Sequence, residues 1–168
     1  TREQISFWKT IIVKGLGEFF YKNKIDFTKD GFLTIECDSI QREAKQKILS
    51  EPVKRRTLVP VGGGKDSAVT LEILKREGGE FNCLLLNPTR AARDVAIIGG
   101  CPNPIVVRRT IDENLLTLNG LGYLNGHTPF SAYLAFVSLA AGILYDYHDI
   151  ALSNERSANE RNLLYLGR

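Results

Sequence analysis

The sequence predicts an α/β protein: a parallel sheet with helices on both faces, preceded by a small N-terminal helix and hairpin. Three observations carry this expectation. From residue 57 onward, strand-like and helix-like segments alternate at a spacing that suits βαβ units. FNCLLLN at 81–87 is a continuous apolar run, the pattern of a strand covered on both faces. A run of glycines at Gly62-Gly63-Gly64 then separates a strand from a helix, as a tight strand-to-helix turn requires.

Taken in order, the apolar residues Phe7, Ile11, Ile12, Leu16, Phe19 and Phe20 recur near every third or fourth position. They predict one amphipathic helix from Ile5 to Phe20, across Gly15 and Gly17, with its stripe in a core. KIDFTKDGFLTIEC at 24–37 predicts a hairpin turning at Lys29-Asp30-Gly31, which must pack on something else. Gln41 to Arg56 is strongly charged and reads as a solvated helix ending before Pro52, then a connector. Lys54-Arg55-Arg56 is a solvated surface or a phosphate contact.

The regular part begins with a strand, TLVPV at 57–61, and a helix over 67–76 with Ala68, Leu71 and Leu74 on one face. The strand at 81–87 leads into a helix through RAARDVAII, and PIVVRRT at 104–110 forms a third strand. DENLLTLNGLGYLNG, rich in Gly and Asn, is left unassigned. Thr128 offers an N-cap and Pro129 a first helical position for a long apolar helix to about Tyr147, and DIALSN at 149–154 is the fourth strand. Two regions follow: 1–56, an appendage of helix, hairpin and connector, and 57–168, an α/β domain expected to be truncated at its C-terminal end.

Bulk composition narrows the class. At 168 residues and 43% hydrophobic, the chain suits one ordinary domain, and a net charge of +3 suits a phosphate-bearing ligand without demanding nucleic acid. The three cysteines, Cys37, Cys83 and Cys101, have no zinc or disulfide spacing. Cys83 reads as a buried thiol, and Cys101 as a thiol near a helix end that is either inert or reactive. SAYLAFVSLAAGILY at 131–145 is shorter than the roughly 20 residues of a membrane span, so we expect a soluble, cytoplasmic protein.

Ligands of parallel α/β sheets bind beyond the carboxyl ends of the strands, where strand order reverses. That rule selects the junctions Gly62 to Ser67, Asn87 to Arg90, Thr110 to Asp112 and Ser153 to Asn159. In VPVGGGKDSAVTLEIL, the glycines bring backbone amides to an anion, and the helix opening at Asp66-Ser67 adds its positive end. Two better-known phosphate loops fail here. Lys65 is followed by Asp66, against the GK[ST] of a Walker loop, and Lys65 and Ser67 occupy the later positions of GxGxxG. Those failures argue against γ-phosphoryl transfer and against a nicotinamide dehydrogenase.

Two polar clusters lie elsewhere. In LNGHTPF, His127 either caps the following helix or serves as acid or base, one of two histidines in the chain; His148 looks peripheral. SNERSANE after the fourth strand is a surface loop or a binding segment. In the second reading Arg156 forks onto carboxylate or phosphate, and Glu155 takes magnesium or orients Arg156. Asn154, Ser157 and Asn159 then recognise amides and carboxylates.

Gly62-Gly63-Gly64-Lys65-Asp66-Ser67 resembles the SGGxDS loop of the N-type ATP pyrophosphatases, with Gly62 where that pattern has Ser. The resemblance implies the adenine nucleotide alpha hydrolase-like (PP-loop) fold and ATP and Mg2+ as cofactors. It implies a loop that holds pyrophosphate, with Lys65 and Ser67 on phosphate, Asp66 toward magnesium, and the adenosine near Asn87. Together, GGGKDS, LNGHTPF and SNERSANE, over roughly 57–165, resemble the epimerases that act on UDP-N-acetylmuramoyl-L-alanyl-L-glutamate in bacterial cell-wall synthesis. Those enzymes form AMP and pyrophosphate and invert the terminal glutamate from L to D through an acyl-adenylate.

The resemblance makes Lys65, Asp66, His127 and Arg156 the catalytic candidates and Gly62, Gly63, Gly64, Lys65, Asp66, Ser67 and Asn87 the nucleotide site. Asn125, Asn154, Glu155, Arg156, Ser157 and Asn159 become the substrate site, and Asp66 and Glu155 the metal site. The expected partner is the small UDP-linked muramoyl dipeptide, with no nucleic acid and no membrane, and a homo-oligomer is left open. An RNA-modifying or amidotransferase-type ATP pyrophosphatase, or a non-catalytic adenine-nucleotide-binding regulatory module, remain as alternatives.

Overall fold

The computed structural model of the chain describes residues 1–36, 55–124, 130–154 and 165–166. These fall into two compact units: 1–51 with 113–132 and 162–168, and 52–112 with 133–161. The predicted charged helix, ending before Pro52, lies outside the described residues, and of the connector after it only Arg55 and Arg56 are described.

In the first unit, Thr1 caps α1 (Arg2–Gly15), accepting from the Gln4 amide at 3.2 Å. The single helix expected from Ile5 to Phe20 is interrupted at Leu16, and α2 (Gly17–Lys22) follows. Gly15 and Gly17 flank the break, and glycine's backbone freedom makes it the cheapest place to end a helix. The stripe is not the core that its spacing implies: α1 buries none of its residues, and Phe7 and Trp8 are exposed. Burial begins at Phe20, whose ring stacks on Phe27 at 5.0 Å and meets Phe32 edge-on at 5.4 Å.

The hairpin expected over 24–37 does not form among the described residues, which turn at 27–32 without strand pairing. Gly31 does take the positive φ, +76°, that the reading required. Asp26 accepts from the hydroxyl and amide of Thr28 at 2.6 and 3.0 Å, which holds its carboxyl below the usual range. The segment's polar side chains thus serve local turns, in competition with a strand ladder. The unassigned glycine-rich stretch contains α5 (Glu113–Gly120).

The second unit is the predicted α/β sheet. Its strands are β1 (Arg56–Pro60), β2 (Glu80–Leu86), β3 (Ile105–Val107) and β4 (Asp149–Ile150), in the order β3-β2-β1-β4, all parallel. Leu58 lies opposite Asn82 and Ile150, and Leu85 opposite Val106. The connecting helices are α3 (Lys65–Glu77), α4 (Arg90–Ile98) and α6 (Phe130–Leu144). The third and fourth strands are shorter than their apolar runs predict.

Alternation along the strands divides the core in two. Val59, Val61, Cys83 and Leu85 point to one face, where Leu71 of α3 and Ala92 and Ala96 of α4 close over them. Leu58 and Leu84 point to the other, against Val137 and Ala141 of α6. Helices therefore cover both faces, as the apolar run of β2 foretells.

Cys83 and Cys101, read separately in the sequence, are joined as a disulfide across 18 residues, with Cα atoms 5.8 Å apart. The pair ties β2 to the residue chain just beyond α4 and is fully buried. Sequence spacing misses it because the sulfurs meet only when α4 folds back over the sheet.

Arg56 is a second departure. Its guanidinium pairs with Glu80 at 3.1 Å, donates to the carbonyl oxygen of Tyr145 at 3.2 Å and lies 4.3 Å from the ring centre of Tyr147. It stands at the start of β1, the opposite end of the sheet from the predicted ligand junctions, so its work is structural. Arg55 lies beside Asp149 at 3.8 Å.

Candidate functional site

Strand order reverses between β1 and β4, because β2 and β3 lie to one side of β1 and β4 lies to the other. The chain leaving β1 is the glycine run, and the chain leaving β4 leads to Ser153 and Asn154. The topology thus brings two of the four junctions predicted from the sequence to one switch point.

The glycine run is shaped by contact as well as by turning. Gly63 has φ +90°, and a Cβ there would fall 2.7 Å from the Ala92 amide nitrogen and 2.9 Å from its Cα. The loop backbone therefore presses on the first turn of α4. That turn is capped by Thr89, whose hydroxyl accepts from the same Ala92 amide at 3.2 Å. Gly62 and Gly64 have open space where a Cβ would stand, so only Gly63 is demanded by close approach.

Beyond the glycines, α3 begins at Lys65 with Gly64 as its N-cap and no side chain capping its first amides. Ser67 is buried in the first turn, and its hydroxyl accepts from the Gly62 amide at 3.3 Å, closing the loop on the helix. Lys65 is exposed and Asp66 half-buried. The amino ends of two helices, α3 and α4, thus flank the same glycine turn. Each carries partial positive charge, the electrostatics that an anion such as a phosphate would require of a site. Magnesium usually takes only one or two carboxylates alongside phosphate oxygens, and Asp66 at the loop suits that demand. Among the described residues there is no cluster of three or more His, Cys, Asp or Glu side chains that would hold a metal without a ligand.

Asn87 stands at the end of β2 with φ +42°. Its side-chain amide donates to the Arg109 carbonyl oxygen at 2.8 Å, and the Arg109 amide donates to its Oδ1 at 2.8 Å. This two-way clamp fastens the chain beyond β3 to the end of β2. The clamp engages the side-chain groups that sequence reasoning reserved for a nucleotide; asparagine at a strand end signals either use.

Ser153 donates from its hydroxyl to Thr70 Oγ1 on α3 at 2.8 Å, and Asn154 is exposed beside it. The start of the SNERSANE segment is thereby pinned to the helix that carries the glycine loop. Thr70 was not singled out from the sequence, where it is one polar residue inside a helical pattern. Asn125, His127, Glu155, Arg156, Ser157 and Asn159 lie outside the described residues.

Against known proteins, the MurL N-terminal domain profile matches residues 1–168. A relative from Salinispora tropica, named UDP-N-acetyl-alpha-D-muramoyl-L-alanyl-L-glutamate epimerase, is 35% identical over 157 residues, 94% of this chain and 33% of its own length. Relatives of the same name from a Micromonospora species and from Xanthomonas oryzae pv. oryzae are 35% and 30% identical, covering 94% and 90% of this chain. The chain spans about a third of the length of the curated relatives it matches. With a profile match along its full length, the chain belongs to the MurL N-terminal domain family.

Proposed function

We propose that this chain is the ATP-handling part of an epimerase that inverts the terminal L-glutamate of UDP-N-acetylmuramoyl-L-alanyl-L-glutamate through an acyl-adenylate, releasing AMP and pyrophosphate. The observation that carries the reading is the turn at Gly63, held at φ +90° against the first turn of α4 while α3 starts beside it without a side-chain cap. Such a turn offers amides and two helix ends to a polyphosphate. The names of the relatives support the choice of acceptor.

In this reading the amides of Gly62, Gly63 and Gly64, with Ser67 and Lys65, hold the pyrophosphate portion of ATP. Asp66, with Glu155, would hold magnesium, which supplies charge neutralisation on the leaving pyrophosphate. The α-carboxylate of the substrate glutamate attacks the α-phosphorus, and the bond from that phosphorus to pyrophosphate breaks.

Activation of the carboxylate has a chemical purpose. Removing a proton next to a free carboxylate would place a second negative charge beside the first. In the adenylate that first charge is gone, and the carbonyl accepts the electron pair left by the proton. Return of a proton to the opposite face inverts the carbon, and water then releases AMP and regenerates the carboxylate.

His127 is the proposed proton-transfer residue, and Arg156 and Lys65 the fixed positive groups that stabilise the enolate oxygen and the phosphates. Asn125, Asn154, Ser157 and Asn159 are the proposed contacts to the substrate.

The test uses the polypeptide of full family length with ATP and magnesium, with and without the UDP-linked dipeptide. AMP and glutamate configuration are followed together. We expect acceptor-dependent AMP and a D-glutamyl product, and a loss of about 100-fold or more in AMP formation for Lys65→Ala at unchanged folding. AMP formed only with RNA or an amide acceptor, or ATP bound without turnover, would refute the epimerase and select one of the other two readings.

A further inference from the structure

α6 (Phe130–Leu144) carries no charged residue anywhere along its length. A helix that covers one face of a sheet needs an apolar stripe on that side only, and its outer side is ordinarily polar. Here the inner stripe is filled by small residues: Ser138, Ala141 and Gly142 are buried, and the Ser138 hydroxyl donates to the Leu134 carbonyl oxygen at 2.7 Å. Val137 also packs inward, and the most exposed bulky side chains lie on the other side. Phe136, Leu139, Ile143 and Leu144 are 40%, 52%, 74% and 79% exposed, and positions 136, 139 and 143 follow the three-four spacing of one helix face.

A helix apolar on every side belongs in an interior. No described helix is long and apolar enough to cross a membrane. The matched family is an N-terminal domain, and this chain accounts for only 33%, 34% and 32% of the relatives' lengths. Two thirds of the family polypeptide therefore lie outside the part described by this fold.

We infer that the outer face of α6 is the docking surface for the remaining part of the family polypeptide, which covers Leu139, Ile143 and Leu144 with an apolar surface of its own. The inference uses only packing and length, so it holds or fails independently of the proposed chemistry.

A photo-crosslinking amino acid placed at Leu139 or at Ile143, in the polypeptide of full family length, reads the occupant directly. The exposed Glu77 at the end of α3 serves as the control position. The expected products join α6 to residues of the same polypeptide beyond this domain. Cross-links to residues 1–51 or 113–132, cross-links between two copies, or a yield no higher than at Glu77 would each overturn the inference.

A second measurement guards against local distortion. Leu139→Asp is expected to lower the melting temperature of the full-length polypeptide by about 2–4 °C or more, with a smaller shift in the 168-residue chain, where the side chain already meets solvent. Equal shifts in both would count against the docking surface.

Discussion

Three adjacent glycines look interchangeable in the sequence, yet they have different work. Gly63 combines a positive φ with backbone atoms of Ala91 and Ala92 where a side chain would go, while Gly62 and Gly64 face open space. Gly63→Ala should therefore cost about 1–3 kcal/mol in denaturant unfolding, through strain and through displacement of the amide that Thr89 caps. Gly62→Ser restores the hydroxyl of the resembled loop pattern and should stay within about 0.5 kcal/mol of the parent. Comparable losses in the two variants would show that the loop does not press on α4 as described. The glycine run is legible as a strand-to-helix turn; which glycine is indispensable depends on a helix that starts more than 20 residues later, and no local pattern carries that information.

Asn87 makes the same point from the opposite direction. Its place at a strand end suggests a ligand contact, but its side chain exchanges two hydrogen bonds with the Arg109 backbone. Asn87→Ala should destabilise the second unit by about 1–3 kcal/mol, since two backbone groups lose their partners and alanine accepts φ +42° poorly. Hydrogen exchange should then rise first at Arg109. A nucleotide affinity that falls with no change in stability would show that Asn87 contacts the ligand directly.

Among the elements, those whose neighbours are close in sequence were the easiest to read. α4 occupies the residues expected, since its Thr cap and its apolar spacing are local signals. The long N-terminal helix was overextended through Gly15 and Gly17, where the apolar spacing continues but the backbone does not. The hairpin over 24–37 was misjudged for a related reason: a glycine with positive φ marks a turn, and a turn alone does not supply a strand partner.

The link from β2 to the end of α4 is testable without altering the sequence. Peptides containing Cys83 and Cys101 should remain joined in a non-reducing digest. Reduction should lower unfolding free energy by about 3 kcal/mol if the constraint acts chiefly on the unfolded chain over its 18-residue separation. Identical denaturation curves with and without reductant would remove the disulfide from the account of stability.

Across the second unit, the parallel order β3-β2-β1-β4 brings the chains leaving β1 and β4 to one switch point, and the Ser153–Thr70 hydrogen bond secures the second of them to α3. Under the proposed function, Ser153→Ala should weaken binding of the UDP-linked dipeptide while leaving ATP binding within about twofold, as one neutral hydrogen bond contributes roughly 0.5–1.5 kcal/mol. Equal losses for both ligands, measured by calorimetry on the full-length polypeptide, would mean that the bond supports the loop and not the acceptor segment.

The amino-acid order was sufficient for the α/β class, the parallel strands and the glycine loop, because periodicity, continuous apolar runs and glycine turns are written within a dozen residues. Which strands are neighbours, which glycine is pressed by α4, how Cys83 finds Cys101, and which side of α6 is left apolar to solvent all required the folded chain. Each is a contact between residues distant in sequence, and its energy exists only once the sheet has brought them together.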